Sequence, residues 1–401
     1  MTVVNPSIEK YRMSPGWSDW KWQQRNAVRS LPQLLGVFPR LQPNYVAAVE
    51  QYRDTRRFQI TPYLLSLIRL TDDGLAPHPD DPLWRQFIPQ PEEWYGGADA
   101  YDAETENWEA PGEMVTPIAQ HKYDNRVIVR LANVCHGYCQ FCYEALRTLE
   151  KNSEKDSFQQ KLWEQTVAYL RGHDEVEEVI LSGGEPLMLM DDQLKRVLSD
   201  LNNLRREITV RIHTRALTFN PFRITDGLLD VIREHRLTSL GVHVAHPNEI
   251  TPEFLQAAAR LHSATPILFA NIPLLGGIND DVQTMHTLGM TLYSRGIIPQ
   301  YLYHFMPFSP GASSFRTSVR KGLDIVCSLK RRITNLAVPE FVLPHHSGKH
   351  TLPLLRETDQ MPQWTVNADG QPVVRYTNWR GEVVEYLDAA ESGSAARLNE
   401  R

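Results

Sequence analysis

Disulfides are the first thing this 401-residue chain cannot be built on: it has only four cysteines, three crowded between positions 135 and 142 and Cys327 alone. Such a set makes no disulfide framework, and in a reducing compartment clustered thiols more often bind metal. Long apolar runs are missing too. No stretch of about 18 apolar residues occurs, and the opening "MTVVNPSIEKYRMSPGWSDW" has no apolar core of a secretory signal. Both absences predict a cytoplasmic protein with no membrane span. Nor is there an excess of positive charge: 42 Lys and Arg against 48 Asp and Glu leave a net charge of −6, so no basic surface for nucleic acid is expected. What remains is globular. At 42% hydrophobic and 22% charged the chain can bury a large core and hold more than one domain.

Residues 17–70 read as helical, with aromatic and apolar side chains at three- and four-residue steps. Residues 72–118 are rich in Pro, Gly and acids and should be largely irregular, wrapping over the body of the protein. From residue 126 an alternation begins. Apolar β-rich runs at 126–132, 177–184, 208–215, 238–245, 266–275 and 299–306 are separated by segments of helical period such as "DDQLKRVLSDLNNL" (191–204) and "TPEFLQAAARLHS" (251–263). That pattern predicts an α/β fold with a parallel sheet, either a partial barrel or an open doubly wound sheet. Ligands then belong at the C-terminal ends of the strands. The polar motifs fall there: the cysteines after the first run, "GGEP" (183–186) after the second, "HTR" (213–215) after the third and "HVAHPNE" (243–249) after the fourth. Near the end, "QPVVRYTNWRGEVVEYLD" (371–388) reads as a hairpin turning at Arg380-Gly381, and 391–401 as a disordered tail.

Cys135, Cys139 and Cys142 can all reach one soft metal centre. Zinc in a structural site wants four closed ligands, and here only one C-x-x-C is present. A fourth would have to come from His136, His304, His345 or Cys327. A [4Fe–4S] cluster held by three cysteines instead leaves one iron open and reactive.

The spacing C-x-x-x-C-x-aromatic-C, with Phe141 as the aromatic, resembles the signature of the radical S-adenosylmethionine superfamily. Longer stretches resemble one branch of it, the lysine 2,3-aminomutase family: "WSDWKWQQRN" (17–26), "ITPYLLSLI" (60–68), "RIHTRALTFNPFRIT" (211–225), "HPNEIT" (246–251), "LLGGINDD" (274–281), "SSFRTSVRKGLDIV" (313–326) and "VVRYTNWRGEVVEY" (373–386). The resemblance implies a partial (β/α)6 barrel with an N-terminal helical segment and a small C-terminal extension. It divides the chain into residues 1–118, a barrel over 119–340 and a C-terminal segment over 341–401. It implies a [4Fe–4S] cluster on Cys135, Cys139 and Cys142, S-adenosylmethionine, an external electron donor and pyridoxal 5'-phosphate. Gly183, Gly184, Glu185 and Pro186 match the family's backbone platform for the cosubstrate's amino group. Phe141, Arg215, His243 and His246 are further cofactor candidates, with His213 and Asn248 as weaker ones; Tyr303 and His304 are expected to line the far side of the pocket. Lys349 is the candidate for the pyridoxal lysine; Lys122, Tyr123 and Arg126 are candidates for its phosphate.

The departures from the family bear on substrate. Where the family keeps an arginine for the substrate carboxylate, this chain has Glu144, with Arg147 three residues on. A carboxylate there would repel a substrate carboxylate, so Glu144 is a candidate catalytic or substrate-facing residue. The two acids that grip lysine's distal ammonium in lysine-specific members are missing from "HFMPFSPG" (304–311) and "VLPHHSGK" (342–349), and the cysteines of an interfacial zinc are absent. The expectation is an isomerase that moves an amino group on an amino acid or modified amine other than free lysine, working as a homo-oligomer. The alternative is a pyridoxal-independent radical deaminase, dehydratase or epimerase.

Overall fold

The structure is a computed structural model and describes residues 4–53, 57–91, 111–142, 158–204, 207–306, 311–345, 348–352, 361–378 and 381–388. One ten-stranded sheet, ordered β1 to β10 along the chain, forms its centre. β1 (Met114–Thr116), β2 (Ala119–Tyr123) and β3 (Arg126–Ala132) pair antiparallel. From β3 the sheet runs parallel through β4 (Glu178–Gly183), β5 (Thr209–Thr214), β6 (Ser239–His243), β7 (Ile267–Pro273), β8 (Ile297–Tyr303) and β9 (Glu340–His345). The last strand, β10 (Gly348–Thr351), returns antiparallel to β9. The six expected runs are thus all strands, and β9 extends the parallel set by one that sequence alone did not yield. β8 begins two residues before the expected Pro299 and ends at Tyr303; the proline sits where the β7–β8 register slips, as a residue without a donor should. Among the described residues β1 and β10 form no ladder, so the barrel is partial.

Alternation along the strands assigns their faces. In β5, Val210, Ile212 and Thr214 are buried while Arg211 and His213 are not fully covered. Val127, Val129 and Leu131 of β3, Leu240 and Val242 of β6, and Leu268, Ala270 and Ile272 of β7 join the same outward core. Helices supply its other half. Asp226–Glu234 starts from Thr225, whose hydroxyl accepts the Leu228 N–H, and buries Leu228, Leu229, Val231 and Ile232. Each such side chain contributes roughly 1.5–3 kcal/mol on leaving water. Truncating the fully buried Leu240 to Ala would cost about 2–5 kcal/mol. The opposite strand face, left for polar residues, lines the lumen.

The N-terminal residues form short helices, Pro6–Arg12, Trp20–Arg25, Leu31–Val37, Pro43–Gln51, Pro62–Leu65 and Pro82–Phe87. They pack a second core around Phe38, Leu64, Trp84 and Phe87. The expected irregular stretch 72–118 holds, among its described residues, one α-helix, a 3-10 turn at Pro111–Glu113 and the start of the sheet, with 92–110 outside the described residues. Near the C-terminus, β12 (Pro372–Thr377) and β13 (Val383–Leu387) form the expected hairpin. Gly381, at φ 89°, closes its turn, and β11 (Gln363–Val366) adds a third strand. Arg380 and the tail 391–401 lie outside the described residues.

Candidate active site

The cysteine loop leaves the C-terminal end of β3 and is laced on two sides. On the sheet side, Gly184 N–H donates to Ala132 O at 2.6 Å and Glu185 N–H to Val134 O at 2.9 Å. The "GGEP" backbone and the loop's start thus make one ledge. Gly183 is at φ 111°, and a Cβ there would fall 2.8 Å from Ala132 O; on Gly184 it would fall 2.6 Å from Val134 O. Only glycines allow this approach. On the other side the N-terminal layer holds the loop. Gln59 Nε2 donates to the carbonyls of Cys135 at 3.1 Å and His136 at 2.8 Å, and Gln140 N–H donates to Gln86 O at 2.8 Å. The expected wrapping segment is part of the site's frame.

Glu185 has its carboxylate turned inward. Oε1 accepts from Leu187 N–H at 2.9 Å and Thr214 Oγ1 at 2.7 Å, and Oε2 from Arg215 N–H at 2.8 Å. Burial raises its carboxyl above the usual range, against those bonds. What the motif offers a ligand is therefore backbone, braced from behind by Glu185. Glu249, which sequence reasoning passed over, braces the end of β6 in the same way, accepting from Ala245 N–H at 3.0 Å and His246 N–H at 2.9 Å. Asn279 of "GGINDD" ties Ala245 O and Pro273 O together, each at 2.8 Å.

Arg215 reaches from β5 to the loop and donates to the Cys139 sulfur at 2.8 Å. Burial pushes the Cys139 thiol up and the guanidinium pulls it back. Phe141 packs edge-on to Phe315, with centroids 5.8 Å apart. Among the described residues no group of three or more His, Cys, Asp and Glu side chains is arranged around a single metal ion. Cys135, Cys139 and Cys142 share one loop, and a cation stands against one of the three sulfurs; thiolates are the donors that iron–sulfur clusters use. Glu144 and Arg147 lie outside the described residues.

Deeper in the lumen the polar strand faces converge. The His213 and His243 rings stand 5.6 Å apart, and Asn271 Nδ2 is 3.4 Å from His243 Nε2. Burial keeps both imidazoles neutral: His243 falls to about 4, and His213 lies well below its ordinary value. His213 Nε2, Asn271 Oδ1 and Arg211 Nε are buried without a hydrogen-bond partner, an arrangement that a polar ligand would complete. Period-two reading of "VRIHT" could have singled out Arg211 with His213. His246 instead accepts Asn248 N–H at the rim, where Asn248 is exposed, and His304 bonds Thr317 O.

Lys349 closes the lumen. Its ammonium donates to Tyr303 Oη at 2.7 Å and lies over the Tyr301 and Tyr303 rings at 4.9 and 5.1 Å. The residue as a whole keeps accessible surface, yet the two tyrosines crowd its ammonium. That desolvation, then Arg211 and Arg126, lowers its pKa to about 8. Arg126 stacks on Tyr123 at 4.2 Å, and Tyr123 Oη accepts the Lys349 N–H. Lys122, on the other face of β2, is paired with Glu113 at 2.8 Å. Arg211 pairs with Glu178 at 2.9 Å. Of the three expected phosphate partners, Tyr123 and Arg126 stand beside Lys349, and Arg211 joins them unannounced.

A partial α/β barrel with three loop thiols and a glycine ledge at the C-terminal strand ends defines a radical S-adenosylmethionine enzyme, and the model of the Radical SAM superfamily matches residues 129–288. L-lysine 2,3-aminomutase of Methanococcus maripaludis is 30% identical over 387 residues, covering 95% of this chain and 84% of that protein. The Clostridium subterminale L-lysine 2,3-aminomutase is 31% identical, covering 96% and 88%, and the glutamate 2,3-aminomutase of Clostridioides difficile 28%, covering 93% and 83%. The chain belongs to the lysine 2,3-aminomutase family. Membership implies a [4Fe–4S] cluster, S-adenosylmethionine, a small-molecule substrate and an electron donor. Among the described residues no helix is long and apolar enough to cross a membrane.

Proposed function

We propose that the enzyme moves an amino group between adjacent carbons of an amino acid or modified amine other than free lysine, with pyridoxal 5'-phosphate on Lys349. The observation that carries this is the Lys349 ammonium held at 2.7 Å from Tyr303, with a lowered pKa, among Arg126, Arg211 and Tyr123. An amine poised near neutral pH suits carbonyl chemistry, and the arginines suit a phosphate.

When bound, the cluster with S-adenosylmethionine supplies a carbon radical, and pyridoxal phosphate supplies a carrier for the migrating nitrogen. In this reading Cys135, Cys139 and Cys142 hold the cluster, and the ledge of Gly183, Gly184, Glu185 and Pro186 orients the cosubstrate. Phe141 screens the cluster from water; Arg215, His243 and His246 frame the same end. Tyr123 and Arg126 anchor the phosphate, and Tyr301 and Tyr303 fix the Lys349 amine. Neutral His213 and His243 bind by hydrogen bonds and add no charge. Lysine is disfavoured because neither "HFMPFSPG" (304–311) nor "VLPHHSGK" (342–349), where the family's two acids would lie, contains a carboxylate, and an ammonium left unpaired away from water is costly. Division at residues 118 and 340, homo-oligomeric assembly and a cytoplasmic setting belong to the same proposal.

The test is anaerobic reconstitution with iron, sulfide, S-adenosylmethionine and pyridoxal phosphate, followed by a panel of amines. Borohydride should fix the cofactor to Lys349 in the peptide map, and an isomerised amine should be the product. Free L-lysine as the best substrate would reverse the substrate assignment; no fixation at Lys349 would move the enzyme to pyridoxal-free radical chemistry.

A further inference from the structure

Arg215 is a deeply committed charge beside the cysteine loop, and its commitments give it a direction. It is 7% exposed, and Nη1 donates to the Cys139 sulfur at 2.8 Å. Nη2 donates to Gln86 Oε1 at 2.6 Å and to Glu249 Oε2 at 3.1 Å. Phe87, Phe141 and Phe219 surround the guanidinium at 5.1, 5.2 and 5.3 Å. Glu249 is itself fixed: it is fully buried, and besides the two backbone N–H groups it accepts from Gln86 Nε2 at 3.2 Å and Thr218 Oγ1 at 2.9 Å. A planar guanidinium anchored at one edge by a buried carboxylate and an amide cannot swing elsewhere without stranding that carboxylate. Of its remaining donors Nη1 is therefore held on the sulfur, and Nε is buried without a partner.

We propose that Arg215 is a positioning residue of the cysteine centre, whose fixed guanidinium orients the Cys139 sulfur and makes the cluster carried there easier to reduce. The proposal rests on the family's cluster reading. Reduction brings in one electron from an external donor and places one more negative charge on the iron–sulfur core and its thiolates. A cationic N–H donor on a thiolate, in a dry pocket, stabilises that more negative state. Glu249 acts in the opposite sense but stands on the far side of the guanidinium, so the nearer positive charge dominates at sulfur. Gln86 belongs to the helix Pro82–Phe87, which makes the N-terminal layer part of the device.

The experiment is an anaerobic redox titration of the reconstituted full chain against dithionite, with the reduced cluster followed by electron paramagnetic resonance and iron and sulfide counted per chain. Arg215→Gln should lower the reduced-to-oxidised ratio at a fixed potential about tenfold, which is about 59 mV for a one-electron couple. Glu249→Gln should shift the ratio the other way. Because Arg215→Gln strands a buried carboxylate, the double variant Arg215→Gln/Glu249→Gln provides a neutral pair of matched shape, and its midpoint should still lie below that of the parent. A parent chain that takes up no iron and sulfide overturns the cluster reading itself. Variants that load fully and titrate at the parent's midpoint overturn the role of Arg215 alone.

Discussion

Lys349 and Tyr123 stand 226 positions apart and meet across the open side of the barrel, the Lys349 N–H donating to the Tyr123 hydroxyl at 3.1 Å. Tyr123 ends β2 and Lys349 lies in β10, so this bond links the second strand of the sheet to its last across a side where no ladder closes it. The contact places the lysine's amine in the lumen beside Tyr303, with Arg126 stacked behind the phenol.

The Lys349 amine should react at a pH set by its surroundings. Trace acylation read at Lys349 by mass spectrometry is expected to be half-maximal near pH 8, below the ordinary 10.5. Removing a repelling cation with Arg126→Gln should move the midpoint upward, because the charged amine then loses a like-charged neighbour. A midpoint at the ordinary value in the unaltered chain would contradict the crowded environment described for this amine.

Glu185→Ala leaves three donors, Leu187 N–H, Thr214 Oγ1 and Arg215 N–H, without their acceptor. Loss of about 3 kcal/mol is expected from urea unfolding of the chain without cofactors. A change under about 0.5 kcal/mol, the ordinary range for a surface substitution, would show that the carboxylate is not the brace it looks to be.

Gly183→Ala should distort the ledge, since φ 111° is unfavourable for alanine and its Cβ would meet Ala132 O at 2.8 Å. The strain is roughly 1–3 kcal/mol, and equilibrium dialysis should show weakened S-adenosylmethionine binding to the iron-loaded protein. Unchanged binding and stability together would mean that the ledge yields at no cost.

Acid should unfold the chain through its buried histidines. His136 falls to about 3 and His243 to about 4 through desolvation, and His213 lies well below its ordinary value for the same cause. The unfolded chain binds protons on these rings near pH 6.5 while the folded one does not, so stability is full above about 6.5 and falls as the pH drops toward 4. The contribution of His243 is on the order of 3 kcal/mol. Urea midpoints measured between pH 7 and pH 4 should decline with that sense, and His243→Gln should flatten the slope. A slope that is the same with and without His243 would rule out its part.

How much was legible depended on the range of the interaction involved. The strand Arg126–Ala132 was bounded correctly because its residues carry the pattern themselves, and the cysteine spacing is likewise local. β9 was missed because only Phe341 and Val342 of its six residues are buried, too few to set an apolar run, and Glu249 because an acid in a polar loop looks solvated until its donors are known. The helical wrapping segment was visible, but not that Gln59 and Gln86 would hold the cysteine loop.

The sequence by itself determined the α/β alternation, the thiol spacing and the glycine pair, since periodicity, chelate span and backbone freedom are properties of neighbouring residues. Only the tertiary structure decided that Arg215 points at Cys139, that Lys122 turns to Glu113 while Tyr123 and Arg126 turn to Lys349, and that Arg211 joins them. The reason is physical: a charge's partner is chosen by which side of a strand it leaves and what the curled sheet brings opposite, and neither is encoded within reach of the residue along the chain.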